Sequence, residues 1–218
     1  MSTGSAPLGR RLRGLHVLAD DDPRWKFDPV EQATAACRGG ADVVQLRVKS
    51  ATDREALSWA EQIRAVTRAS GALFFVNDRF DLALSARADG VHLGQTDLPP
   101  ARIPRPERER LLVGHSTHTL QQADEALREP VDYLAFGPVF GTRSKRSEYT
   151  ARGIDALAEV AARVAPLPLV GIGGIELRNA ESVARAGAGV AVISAVAAAE
   201  DPAAATRALA RLVSEARA

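Results

Sequence analysis

Gln45-Leu46-Arg47-Val48-Lys49 sets three polar side chains at alternate positions at the end of an apolar run. In an extended segment that period sends all three to one side. An Arg and a Lys drawn out of water need anionic partners, so the segment suits a multiply charged anion. Further along, the apolar run Leu73 to Val76 breaks off into Asn77-Asp78. Asp78 fits two readings: an N-cap for the helix that follows, or a functional carboxylate delivered by a strand end. The next apolar run ends in Gly94-Gln95-Thr96-Asp97, putting a second carboxylate on a neighbouring strand end. Carboxylates at Asp78 and Asp97 beside Arg47 and Lys49 fit Mg2+ held by one or two carboxylates plus substrate phosphate oxygens. A general acid/base pair is the rival reading.

The later strand ends continue the theme. Ser116, Thr117 and His118 follow one, and Gly137-Pro-Val-Phe-Gly-Thr142-Arg-Ser144-Lys145 follows the next, with two hydroxyls and two cations suited to closing over phosphate. His118 could orient a hydroxyl or cap a helix, readings kept ahead of a catalytic one. Gly171-Ile-Gly173-Gly174-Ile175 and Ile193-Ser194-Ala195 close the series. Glycines let backbone amides approach an anion, and the last two loops of a (β/α)8 barrel are a frequent monophosphate site. The mouth thus holds two anion sites, a monophosphate cup formed by Gly173, Gly174, Ser194 and Ala195, and a diphosphate site formed by Arg47, Lys49, Asn77 and Lys145 beside the metal.

The elements that must position these residues read off in order. Strands are expected at Leu15–Ala19, Val43–Arg47, Leu73–Val76, Gly90–Leu93, Leu111–Gly114, Tyr133–Phe136, Leu167–Ile172 and Gly189–Ile193. Asp28-Pro29 starts a helix that stops at Gly39-Gly40, and another runs from about Thr52 to Arg68. Further helices are expected from Asp78 to about Ala86, then over Leu120–Arg128, Ile154–Val164, Leu177–Ala186 and Pro202–Ala216. Near-continuous apolar strands with short connections imply a parallel sheet buried on both faces. Eight such units in one chain predict an α/β fold with a single (β/α)8 TIM barrel over 13–218, behind a flexible arm at 1–12. An open doubly wound sheet is the alternative topology.

Composition sets the bounds. The chain has 218 residues, 46% hydrophobic and 25% charged, ordinary for a soluble globular domain. With 28 basic and 27 acidic residues its net charge is +1, which argues against nucleic-acid and membrane partners. Cys37 is the only cysteine, so no internal disulfide or multi-thiolate metal site can form, and a cytoplasmic location is expected. After Arg10, Arg11 and Arg13 the apolar stretch is too short for a signal segment. A homo-oligomer is left open.

Together Gln45-Leu-Arg47-Val-Lys49, Asn77-Asp78-Arg79, Gly90-Val-His-Leu-Gly94-Gln95-Thr-Asp97, the Gly137–Lys145 segment, Gly171-Ile-Gly173-Gly174-Ile175 and Val192-Ile-Ser194-Ala195 resemble thiamine-phosphate synthase. The resemblance runs from about Leu15 to the last helix. It implies a (β/α)8 transferase that joins hydroxymethylpyrimidine diphosphate to a thiazole phosphate, forming thiamine monophosphate and pyrophosphate with Mg2+. On that resemblance Arg47, Lys49, Asn77 and Lys145 hold the diphosphate, and Asp78 and Asp97 bind the metal. Gln45 contacts the pyrimidine with Ser116 nearby. Thr142, Ser144, Gly174 and the Ser194-Ala195 turn take the thiazole phosphate. The implied mechanism is dissociative, with the thiazole nitrogen capturing a pyrimidine methylene cation.

The sequence departs from the pattern in two places. Gly141 and Arg143 stand in a loop that usually reads Pro-Thr-x-Thr-Lys, and Glu148 to Gly153 replaces a proline-containing approach to the glycine. That second region resembles the thiazole tautomerases, which share the fold and use a histidine matching His118 for proton transfer. A third reading, from another class, is a non-catalytic phosphate-binding regulatory barrel. The presence of Arg47, Lys49, Asp78 and Asp97 together favours the synthase.

Overall fold

The computed structural model describes residues 7–142 and 149–217. Eight parallel strands, β1 to β8, close into a barrel in chain order. The chain runs α1 (Leu8–Leu12), β1 (Leu15–Asp20), α2 (Pro29–Gly39), β2 (Val43–Arg47), α3 (Asp53–Ser70), β3 (Leu73–Asn77), α4 (Phe80–Ser85) and β4 (Gly90–Leu93). After a 3-10 turn (Pro100–Arg102) come α5 (Arg105–Arg108), β5 (Leu112–Thr117), α6 (Leu120–Ala126), β6 (Tyr133–Phe136), α7 (Gly153–Val164) and β7 (Leu169–Ile172). The chain closes with α8 (Ala180–Arg185), β8 (Gly189–Val192), α9 (Ser194–Ala197) and α10 (Pro202–Glu215). The expected (β/α)8 barrel is the fold. Among the described residues no helix is long and apolar enough to cross a membrane.

Local chemistry explains the long helices. Asp28 and Thr52 each cap a first turn, and Glu31 and Glu55 return the bond to the cap's own amide, so both helices open on a reciprocal box. Gly40 and Gly71 end α2 and α3 in the left-handed region.

Each strand is buried on both faces because alternate residues point to two different cores. Leu15, Val17, Val44, Leu46, Phe74, Val76, Val91 and Val113 pack outward against the helices. Leu18, Val43, Leu73, Phe75, Tyr133, Val170, Ala191 and Ile193 fill the lumen, and Leu12 joins them. Gly90 and Gly114 make room there: a Cβ on either would fall within 2.3 Å of the Phe75 or Tyr133 ring. The lumen is therefore packed up to its open end.

Several boundaries differ from those read in the sequence, and two matter for function. β1 runs one residue further, bringing Asp20 into the sheet, and β5 runs through Thr117, so Ser116 is a strand residue. Part of the span expected as a flexible arm is structured: Leu8–Leu12 is helical, Leu12 is buried, and Arg11 and Arg13 donate to the Gly71 and Pro166 carbonyls. The helix placed from Asp78 begins at Phe80, and the one placed from Leu177 begins at Ala180. Residues 1–6 of the arm lie outside the described residues.

Candidate active site

At the C-terminal end of the strands a cavity of about 410 Å³ opens, within the range of small-molecule sites. Gln45, Arg47, Lys49, Asn77, Asp78, Asp97, Ser116, His118, Thr142, Gly173, Gly174 and Ser194 all line it. Ala195 does not: it lies in α9 and packs against the outer core. Ser144 and Lys145 lie outside the described residues.

Register builds the cation side. Asp20 and Arg47 are facing partners on β1 and β2, both with side chains to the lumen, so they sit at one height. Arg47 donates to Asp20 in a nearly fully buried ion pair. Asp20 also accepts from the Trp25 indole at 2.8 Å and the Asp22 amide at 3.0 Å, which fixes the carboxylate that holds the guanidinium. Asp21 works on the next turn, accepting from the amides of Lys49, Ser50 and Ala51 at 2.7–2.9 Å. That clamp sets where the Lys49 side chain emerges. Lys49 then reaches over to Asp78, its Nζ 2.5 Å from the carboxylate.

Asp78 is not an N-cap. Its φ of 66° lies in the left-handed region, and Arg79 stands at the cap position of α4 without a side-chain cap. A non-glycine residue held there carries strain that surrounding bonds must hold in place. The Asp78 amide donates to the His92 carbonyl at 2.7 Å and the Arg79 amide to the Asn77 carbonyl at 2.8 Å. The strained turn swings the Asp78 carboxylate away from the helix and toward Asp97. Asp97 accepts from the Gly94 amide at 2.6 Å, and burial, then the Asp78 carboxylate, push its pKa above the usual carboxylate range. Two carboxylates held together is what a divalent cation relieves. Among the described residues no cluster of three or more His, Cys, Asp or Glu could cage a metal. The pair fits Mg2+, which takes one or two carboxylates and fills its remaining positions with water and phosphate oxygens.

The floor is a polar network inside an apolar lumen. Gln45 is 3% exposed, and its Oε1 is buried with no hydrogen-bond partner among the described residues. His92 bridges Tyr133 and Ser116: its Nδ1 lies 2.8 Å from the phenol oxygen and its Nε2 2.8 Å from the serine Oγ. Burial pushes the Tyr133 phenol up, so it stays protonated, with the Gln45 amide beside it as the smaller, opposing influence. Beneath, His16 meets the Leu12 carbonyl at 2.8 Å, and burial lowers its imidazole to about 4.

On the opposite rim Gly173 and Gly174 take φ of 99° and 64°, and a Cβ on Gly174 would lie 2.4 Å from the Gly141 carbonyl. Only glycine permits that backbone path beside the β6 loop. His118 is clamped. Its Nδ1 donates to the Gly137 carbonyl at 2.6 Å, its amide donates to Gln122, and the Tyr149 ring stacks on it at 4.0 Å.

The residues missed in the sequence are Asp20, Asp21, His16, His92, Tyr133 and Tyr149. A signal was present for two of them, because His16, Leu18 and Asp20 share the period-two spacing of Gln45 and Arg47.

A closed (β/α)8 barrel whose mouth gathers cations, paired carboxylates and a glycine turn defines an enzyme that handles phosphorylated small molecules. Residues 15–196 match the family model described as thiamine monophosphate synthase. The chain belongs to this family and is a transferase of thiamine biosynthesis. A thiamine-phosphate synthase of Anaeromyxobacter dehalogenans is 48% identical over 208 residues, covering 94% of this chain and 90% of that one. Another, from Roseiflexus castenholzii, is 44% identical over 204 residues, covering 93% and 88%. The structure of thiamine phosphate pyrophosphorylase from Pyrococcus furiosus superposes with a TM-score of 0.87 at 38% identity, covering 96% and 99%.

Proposed function

We propose that this transferase is a thiamine-phosphate synthase: it couples hydroxymethylpyrimidine diphosphate to a thiazole phosphate and releases pyrophosphate. The observation that carries this reading is the shared rim of Arg47, Lys49 and Asn77 with the Asp78–Asp97 pair, above a floor whose Gln45 Oε1 lacks a partner among the described residues. Arg47, Lys49 and Asn77 bind the diphosphate, and Lys145 is assigned to the same anion by the family resemblance alone. Asp78 and Asp97 would hold Mg2+, whose positive charge would stabilise a departing diphosphate. Gln45 accepts from the pyrimidine amino group, and Gly173, Gly174, Thr142, Ser144 and Ser194 take the thiazole phosphate.

In the reaction the bond between the pyrimidine methylene and the diphosphate oxygen breaks, both electrons leaving with oxygen. The thiazole nitrogen lone pair then forms the new carbon–nitrogen bond. Arg47 and Lys49 are already positioned where negative charge grows, so little reorganisation accompanies departure. No side chain needs to act as a covalent nucleophile. His118 orients the β5–α6 turn, consistent with its clamp of carbonyl, Gln122 and Tyr149. A cytoplasmic location and small-molecule partners complete the reading, the former supported by a single cysteine.

The test is pyrophosphate release with each substrate alone and with both, with and without Mg2+. Release that needs both substrates and the metal, in step with thiamine phosphate, supports the synthase. Isomerisation of a thiazole carboxylate phosphate without coupling would transfer the protein to the tautomerase reading. Ligand binding without either turnover would leave a phosphate-binding barrel.

A further inference from the structure

The lumen under the cavity contains a hydrogen-bond chain that the coupling reaction itself does not require. Tyr133 is 1% exposed, and among the described residues its hydroxyl proton has one acceptor within reach, Nδ1 of His92. Gln45 Oε1 does not take that proton, because it has no hydrogen-bond partner among the described residues. The phenol therefore donates to Nδ1. A neutral imidazole that accepts at Nδ1 carries its proton on Nε2. Nε2–H then donates to Ser116 Oγ, at 2.8 Å. With its oxygen accepting from below, the serine hydroxyl proton is turned toward the cavity that Ser116 lines. Gln45 faces the same cavity from β2 with an acceptor.

We propose that Tyr133 and His92 are positioning residues that hold Ser116 as a hydrogen-bond donor, so that the floor, with Gln45 as acceptor, selects an aminopyrimidine over its oxo analogue. An aminopyrimidine offers an N–H donor to Gln45 and an unprotonated ring nitrogen to Ser116. The oxo analogue puts a carbonyl oxygen where the amino group was, facing the Gln45 oxygen, and protonates a ring nitrogen. A buried acceptor left unpaired or set against another acceptor costs affinity. The packing supports a dedicated arrangement. Gly114 carries no Cβ because one would lie 2.2 Å from the Tyr133 ring and 2.6 Å from His92 Nδ1. Phase and height are also set, since His92 faces Gly114 and Ser116 faces Ala135 across the ladder.

The inference rests on the synthase reading for its ligand, and the experiment separates the two. Coupling and calorimetric binding are measured with the amino and oxo pyrimidine diphosphates, for the parent, Tyr133→Phe, Ser116→Ala and the double variant. Tyr133→Phe leaves Nδ1 without its donor, frees the imidazole to carry its proton there, and lets Ser116 turn its own proton down to Nε2. Its preference for the amino compound is expected to fall roughly fivefold to tenfold, the value of one hydrogen bond, chiefly in KM. In the Ser116→Ala background the same change is expected to add nothing further. His92→Phe, which removes both bonds, is expected to lose the same share of preference. Equal losses toward both diphosphates, or effects of Tyr133→Phe and Ser116→Ala that multiply, would overturn the proposal. A parent protein that binds the diphosphates but couples neither would sink the synthase reading, while the binding ratios still decide this one.

Discussion

Removing the charge from Asp20 probes the least visible support of the proposed diphosphate site. Asp20→Asn keeps the shape of the side chain but leaves Arg47 buried without its counter-charge. The Asp20 side chain is 0% exposed and the Arg47 side chain 10% exposed, so solvent does little to replace the lost partner. Breaking a buried pair by removing one member costs about 3–5 kcal/mol. The lower end applies here, because Arg47 opens onto the cavity and the asparagine oxygen can still accept from the Trp25 indole. A loss of about 3 kcal/mol corresponds to a drop in Tm of roughly 6–12 °C for a chain of this size. Inorganic pyrophosphate supplies the missing anion to Arg47, so the same concentration is expected to raise the Tm of Asp20→Asn more than that of the parent. Thermal unfolding followed by circular dichroism, with and without pyrophosphate and Mg2+, measures both effects. A Tm within about 2 °C of the parent, which corresponds to less than 1 kcal/mol, together with equal pyrophosphate shifts, would refute the assignment of Asp20 as the support of Arg47.

Four further outcomes follow from the geometry. Asp78→Asn and Asp97→Asn are each expected to lower turnover at least tenfold and raise the Mg2+ needed for half-activity, read from metal titrations of pyrophosphate release; unchanged titrations in both would remove the metal from this pair. Gly174→Ala forces a methyl group to within 2.4 Å of the Gly141 carbonyl in a left-handed backbone, so KM for the thiazole phosphate should rise several-fold with KM for the pyrimidine diphosphate little changed. His118→Asn is expected to retain coupling within a few-fold, and complete loss would put that ring into the chemistry. His16, lowered by burial to about 4, resists a proton that the unfolded chain accepts below its ordinary value of 6.5. Stability should therefore fall as pH drops from 6.5 toward 4, and His16→Leu should flatten that limb by on the order of 3 kcal/mol in urea titrations.

The barrel was legible because its signals are local and repeated. Most strands are short apolar runs, α2, α3 and α10 open on capped first turns, and Gln45, Arg47 and Lys49 announce a lumen face through period two. What escaped depends on register, which no single segment contains. Asp20 was hidden at the head of Asp20-Asp21-Asp22, a run that reads as a solvated acidic turn. Only the pairing of β1 with β2 puts its first member opposite Arg47, 27 residues away, and its second under three amides of the next turn. Cap preference gave Asp78 a local role that the strand-to-strand bond to His92 overrides. Leu8–Leu12 is too short to show a helical period, and Leu12 is buried only because the barrel leaves an open end for it to close. His92 and Tyr133 sit inside apolar runs, where a single polar residue looks like noise until the facing strands bring the two together.

The charges at the mouth fall into two groups, and the division indicates where ligands act. Asp20 and Asp21 are completed by the protein: one has a guanidinium, an indole and an amide, the other three amides. They are supports, Asp20 buried and Asp21 half-buried. Among the described residues the Gln45 oxygen lacks a partner, and Asp97 is driven above the usual carboxylate range by burial and by Asp78. Leaving a buried acceptor unsatisfied costs about 1–3 kcal/mol, and setting two carboxylates together adds repulsion to that. A barrel tuned for stability alone would remove both with apolar substitutions. Here they sit within one cavity, at the floor and on the rim, beside cations whose own positions are fixed from below. The free energy that the empty protein forgoes at those points would be recovered by a ligand with a donor for the floor and charges for the rim, as the proposed pyrimidine diphosphate with its cation would bring. The same pairing explains why binding of either piece alone should be weak compared with binding of the joined pyrimidine diphosphate together with its metal.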